Sequence, residues 1–122
     1  MVRPRPILIV DDDTDLREVL GELLSEEGYP TRLCPNGRVA LELLRDGARP
    51  RLILLDLMMP EMNGWQFRQE QLRDALLRDI PVVVMTANRG VDHADLGGAE
   101  VLEKPVGLAE ILGAVERNAL RA

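Results

Sequence analysis

Cysteine, histidine and aromatic side chains are nearly absent from this chain. Cys34 is its one cysteine and His93 its one histidine among 122 residues, and Tyr29, Trp65 and Phe67 are the three aromatics. A lone cysteine excludes an internal disulfide and is compatible with a reducing cytoplasm, the expected location. Positive charge is short as well: 15 Lys and Arg stand against 21 Asp and Glu, a net charge of -6. An acidic domain repels phosphate backbones, so nucleic-acid binding by this chain alone is not expected. No apolar run approaches the roughly 20 residues that span a bilayer, and no basic amphipathic stretch suits a membrane surface. The apolar stretch after MVRPRP, Ile7 to Val10, is too short for a secretory signal. A G-x-G-x-x-G turn, which a dinucleotide-binding domain needs, is missing. Long polar runs, linkers and internal repeats are missing too, which argues against disorder and for one domain over residues 1–122.

What is there is a set of short, wholly apolar runs: Ile7-Leu8-Ile9-Val10, Leu52-Ile53-Leu54-Leu55 and Val82-Val83-Val84-Met85. Such runs read as strands buried on both faces. Thr31 to Cys34, after Pro30, and Glu100 to Glu103, before Lys104-Pro105, read as two shorter strands. Helical patterns lie between them. Leu16, Val19, Leu20, Leu23 and Leu24 share one helix face, and Gly28 ends it. Val39, Ala40, Leu43 and Leu44 predict a second helix, capped by Asn36 and stopped near Gly47. Leu108, Ile111, Leu112 and Val115 predict the last one, which runs almost to Ala122 and leaves no room here for an output domain. Strand and helix thus alternate five times, which predicts an α/β domain: a doubly wound, five-stranded parallel sheet with helices on both faces.

Ligands of open parallel sheets sit beyond the carboxyl ends of the strands. Those positions hold Asp11, Asp12 and Asp13 after the first strand, Asp56 at the third, Thr86 and Ala87 at the fourth, and Lys104 and Pro105 after the fifth. Carboxylates brought that close repel, and a hard divalent cation relieves the repulsion; magnesium or manganese suits an oxygen-only site. Aspartates here also suit the cap of the first helix, the role expected of Asp13. Asp56 is the candidate nucleophile, since a carboxylate attacks phosphorus in line to form an acyl phosphate. Lys104 offers a cation for the equatorial oxygens and Thr86 a hydroxyl donor. Pro60 and Asn63-Gly64 punctuate the loop from Met58 to the third helix. Trp65 and Phe67 read as packing residues of that helix. His93 lies away from the strand ends and is assigned no role.

The segments ILIVDDD, LILLDLMMPEMNGWQF, IPVVVMTA and EKPV occur in the order found in receiver domains of two-component signalling, and the chain resembles that family over nearly its whole length. The resemblance implies a flavodoxin-like strand order 2-1-3-4-5. It implies a phosphoacceptor, Asp56, and a metal site of Asp11, Asp12, Asp56 and the backbone carbonyl of Met58, with Asp12 the more direct ligand of the acidic pair. Thr86, Ala87 and Lys104 would contact the phosphoryl group, and the Lys104-Pro105 bond would be cis. The resemblance also implies a sensor histidine kinase or a phosphotransfer protein as donor, a downstream protein partner, and a switch or phosphorelay intermediate rather than an enzyme with a separate substrate. Two other chemistries on this architecture fit poorly. Three aspartates after the first strand would repel a flavin phosphate, and a haloacid-dehalogenase-type phosphatase needs a second aspartate where Met58 stands.

Two departures from the family set up an alternative, a pseudo-receiver that binds a partner without phosphorylation. Val101 occupies the position, three before the lysine, where family members commonly carry Tyr or Phe. The stretch from Thr86 to Lys104 is also shorter by about one helical turn. With two glycine breaks and only Val91, Ala94 and Leu96 to face a core, it predicts a shortened, displaced or melted fourth helix.

Overall fold

The computed structural model describes residues 5–119. Five strands are present, β1 (Ile7–Val10), β2 (Thr31–Cys34), β3 (Leu52–Asp56), β4 (Val82–Thr86) and β5 (Glu100–Glu103). Four α-helices alternate with them: α1 (Thr14–Glu26), α2 (Gly37–Arg45), α3 (Gly64–Arg73) and α4 (Leu108–Asn118). All pairings are parallel, in the order β2-β1-β3-β4-β5. Because β1, β3 and β4 are covered on both faces, their residues are buried without alternation. Leu8, Val10, Ile53, Leu55, Val82 and Val84 meet α2 and α3 on one side. Ile7, Ile9, Leu52, Leu54, Val83 and Met85 meet α1 and α4 on the other.

Short polar side chains start the helices. Asp13, Asn36 and Asn63 each accept a backbone N–H of the first turn, satisfying one of the donors a helix start leaves open. Asn63 also exchanges bonds with Gln66, a capping box. One expectation for α1 fails: Val19 is exposed, and the buried stripe is Leu20, Gly21 and Leu24. The helix seats Gly21 against Leu33 and Thr31 of β2, which turns Val19 outward.

Between β4 and β5, where a fourth crossover helix was expected in shortened form, stands a 3-10 turn over His93–Leu96. Leu96 is buried and Val91 packs at the core margin, but Ala94 is exposed, because one short turn sends only one side chain inward. Gly97 and Gly98 follow in left-handed conformations and Ala99 is buried. The turn is tied to α3 by a buried polar chain. Arg68 Nε donates to the Leu96 carbonyl at 2.9 Å, and its Nη1 donates to Gln71 Oε1 at 2.8 Å. Gln71 Nε2 in turn donates to the carbonyls of Leu77 and Ile80.

Gly64 stands where α3 starts directly behind the end of β3, and its N–H donates to the Leu57 carbonyl at 2.9 Å. A Cβ there would lie 2.6 Å from the Asp56 carbonyl oxygen and 2.8 Å from Leu57 Cα. Those atoms are backbone and cannot move aside cheaply. Gly64→Ala is therefore expected to lower stability by about 1–3 kcal/mol, read from the urea midpoint. Arg68→Met, which leaves the Leu96 carbonyl and Gln71 without their donor, should cost about 1–3 kcal/mol. Amide exchange should then accelerate at 93–99 before it does in the β-sheet core; protection unchanged at the turn would mean that Arg68 does not hold it.

Candidate functional site

The strand register decides which side chains meet. Val10 pairs with Leu55, so Asp11 leaves β1 beside Asp56 at the end of β3. Asp56 pairs with Met85 and Thr86 with Glu103, so Thr86 ends β4 one residue beyond that row and Lys104 follows directly after the end of β5. One carboxylate oxygen from each of Asp11, Asp12 and Asp56 lies within 4.8 Å of the others. Asp11 and Asp56 are buried and Asp12 faces solvent. Lys104 Nζ reaches into this group, 3.0 Å from Asp11 Oδ2 and 3.7 Å from Asp56 Oδ1.

Each member is held from the backbone. Asp13 N–H donates to Asp11 Oδ1 at 3.0 Å, while Asp11 N–H pairs with the Cys34 carbonyl on β2. Asp11 is thus oriented as a buried acceptor, and Asp13 serves as the α1 cap. Met58 N–H approaches Asp56 Oδ1 at 3.4 Å, and the Met58 side chain is exposed at the mouth. Thr86 is fully buried and its hydroxyl oxygen accepts the Asn88 N–H at 3.0 Å. Ala87 is exposed beside it. Lys104 N–H donates to the Thr86 carbonyl at 2.8 Å, and the Lys104-Pro105 bond is cis, as expected. Val101 is half-buried, pairs with Val84 and packs on the α2 and α3 side of the core.

Electrostatics at this edge are unbalanced. Burial pushes the Asp56 carboxyl above the usual aspartate range, and the charge on Asp11 adds to the rise. Lys104 and the Met58 N–H oppose it, and Asp12 raises it further. Three carboxylates face one ammonium, all donors are oxygens, and one side is open to water. That donor set fits a hard divalent ion such as magnesium, which keeps waters in its shell, better than a softer metal.

Every residue the strand-end argument named lies at this one edge except Asp13, which caps. His93 lies off it, exposed, with Nδ1 3.0 Å from the Ala99 carbonyl. Sequence reasoning missed Arg17, whose Nη1 donates to the Asp11 carbonyl at 2.7 Å. Arg17 belongs to no motif; only its offset from Asp11 points to the edge. Met58 and Asn88, each two residues beyond a strand-end site residue (Asp56 and Thr86), border the mouth as the sequence implies, with the Asn88 side-chain amide 3.8 Å from Met58 Sδ.

A model of the response regulator receiver domain matches residues 7–116. Response regulator MprA of Mycolicibacterium vanbaalenii is 40% identical over 113 residues, covering 89% of this chain and 48% of that protein. A transcriptional regulatory protein CpxR homolog of Haemophilus influenzae is 35% identical over 115 residues, again 90% of this chain and 48% of the relative. The chain therefore spans about half the length of these curated relatives. Among solved structures, the response regulator protein TrrA of Thermotoga maritima, in complex with Mg(2+)-BeF, aligns with a TM-score of 0.82 at 30% identity over 93% of this chain and 97% of that one. A signal receiver domain of a signal transduction histidine kinase from Syntrophus aciditrophicus aligns with a TM-score of 0.81 at 34% identity, covering 93% and 88%. With the strand order, the acidic edge and these matches in agreement, the chain belongs to the response regulator receiver domain family of two-component signalling.

Proposed function

We propose that this chain is a phosphoacceptor: Asp56 takes a phosphoryl group from a phosphohistidine of a sensor histidine kinase or a phosphotransfer protein, and the modified state is read by a protein partner. The observation that carries the reading is the meeting of Asp56, Lys104 and Thr86 with the Asp11–Asp12 pair at one sheet edge. An Asp56 carboxylate oxygen attacks phosphorus, the N–P bond of the donor breaks, and the electron pair returns to the imidazole. Lys104 is near enough to Asp56 to meet charge developing on the phosphoryl oxygens. Thr86, with its oxygen already accepting from Asn88, has its hydroxyl proton to donate to the same group. Asp11, Asp12, Asp56 and the Met58 carbonyl would hold magnesium or manganese. The bound ion would supply positive charge against the carboxylates and the phosphoryl oxygens. The TrrA structure, a complex with Mg(2+)-BeF, supports that placement by analogy.

The role is that of a switch that assists its own phosphoryl transfer and its hydrolysis, not of an enzyme with a separate substrate. Among the described residues no helix is long and apolar enough to cross a membrane, which is compatible with the cytoplasmic setting a kinase partner implies. A second reading, a module that docks a partner without phosphorylation, is favoured by Val101 and by the 3-10 turn between β4 and β5. The complete Asp, Thr and Lys set stands against it.

Uptake of phosphoryl group from a small acyl-phosphate donor decides between them. Magnesium-dependent labelling of the wild type, reduced at least about a hundredfold in Asp56→Asn, is expected for loss of a covalent nucleophile. No labelling of folded wild type with magnesium present would put the docking module first.

The raised Asp56 carboxyl also predicts a pH dependence. Its folded pKa lies above the unfolded one, so its contribution to stability is greatest when protonated and is lost as pH rises through the folded value. At neutral pH without divalent ions, the ionised group is a cost. Asp56→Asn should therefore raise the melting temperature at pH 7 in chelator, with a gap that narrows as pH falls. A lower melting temperature for the variant at pH 7 would refute this account of the charge balance.

A further inference from the structure

Arg17 lies one turn into α1, outside every motif, and makes two directed contacts. Its Nη1 donates to the backbone carbonyl of Asp11 at 2.7 Å, and its Nη2 approaches Thr14 Oγ1 at 3.4 Å. The first is the shortest polar contact made by either the backbone or the side chain of Asp11. The Asp11 carbonyl belongs to the peptide that joins Asp11 to Asp12. Fixing that peptide plane fixes the N–Cα bond of Asp12 and so narrows the directions in which its side chain leaves the chain.

Other restraints flank this peptide on both sides. Asp11 N–H is paired to Cys34, Asp11 Oδ1 accepts from Asp13 N–H, and Asp11 Oδ2 faces Lys104. Asp12 is exposed, and no hydrogen bond to its carboxylate is present among the described residues. An exposed aspartate at a loop has free rotation about its own side-chain bonds, so its placement in the cluster depends on the peptide that carries it. Among the described residues, Arg17 is the only side chain that hydrogen-bonds that peptide. It also brings a fixed positive charge to the back of the acidic pair, near enough to influence the buried Cys34 thiol.

We infer that Arg17 is a positioning residue for the acidic pair: by clamping the Asp11–Asp12 peptide it presets Asp12 for a divalent cation, and so sets the ion concentration at which the site fills. The inference rests on the proposed reading of the cluster as a magnesium site. Groups that hold a metal's ligands in place commonly change affinity by about 10–100-fold when removed. Arg17 acts through a backbone rather than on a ligand atom, which points to the low end of that range.

The test uses magnesium chloride as the probe on the full chain, wild type, Arg17→Met and Arg17→Lys, with amide chemical shifts of Asp12 and Met58 followed by NMR. Methionine keeps much of the apolar stem and removes the donor; lysine keeps one donor. Arg17→Met should shift the magnesium midpoint upward by about tenfold, and Arg17→Lys should recover part of it. In phosphoryl uptake from a small acyl-phosphate donor, the half-saturating magnesium concentration should move by the same factor, while the rate at saturating magnesium stays within about twofold of wild type. Melting curves in chelator separate this from a role in the fold alone. A lowered melting temperature with an unmoved magnesium midpoint in both variants overturns the inference and leaves the proposed function intact. Wild type that binds no magnesium overturns the reading of the cluster, and the inference with it.

Discussion

Asp11 and Asp56 are two carboxylates taken out of water at the end of adjacent parallel strands, and their mutual repulsion is the constraint around which the rest of this edge is arranged. Coulomb energy between like charges a few Å apart is small in water and large where solvent is excluded. The sheet cannot relax the pair, because β1 and β3 are adjacent inner strands and their register is locked by buried aliphatic side chains on both faces. Opposite charge must therefore come to the carboxylates. Lys104 supplies one unit, delivered from just past the end of the edge strand β5.

Around that charge balance, the backbone supplies fixed dipoles. Asp13 N–H and Met58 N–H point at the carboxylates, and Arg17 closes the loop from behind. Gly64 lets α3 begin so close behind β3 that the loop carrying Met58 is drawn over the site. The result is an edge whose charges and backbone dipoles are fixed in place by the fold.

The face between β4 and β5 departs most from the family pattern. A full crossover helix is replaced by the turn at His93–Leu96, held by Arg68 and Gln71 rather than by a row of apolar contacts. Val101 fills its place in the core beside Val84 without a ring that could swing outward. A polar tether from α3 thus holds the segment that runs from Thr86 to this face.

Much of this was open to reading along the chain. Wholly apolar runs of four or five residues identify strands covered on both faces, and Asn36, Asn63, Gly28 and Gly47 mark helix ends by local chemistry that does not depend on the rest of the fold. Alternation then places the residues after each strand at one edge, so Asp11, Asp12, Asp56, Thr86 and Lys104 could be gathered without coordinates. The tertiary structure alone decided the remainder. Val19 satisfies the helical period yet faces water, because the rotation of α1 is set by Gly21 against β2. Arg17, Arg68 and Gln71 look like surface residues, since a long polar side chain shows its function only through the carbonyl it reaches, and those carbonyls are brought near by packing between elements far apart in sequence, as with Arg68 and Leu96, or by the turn of a loop into a helix, as with Arg17 and Asp11. Periodicity reports which side is apolar; it carries no information about which backbone oxygen lies within 3 Å of a guanidinium.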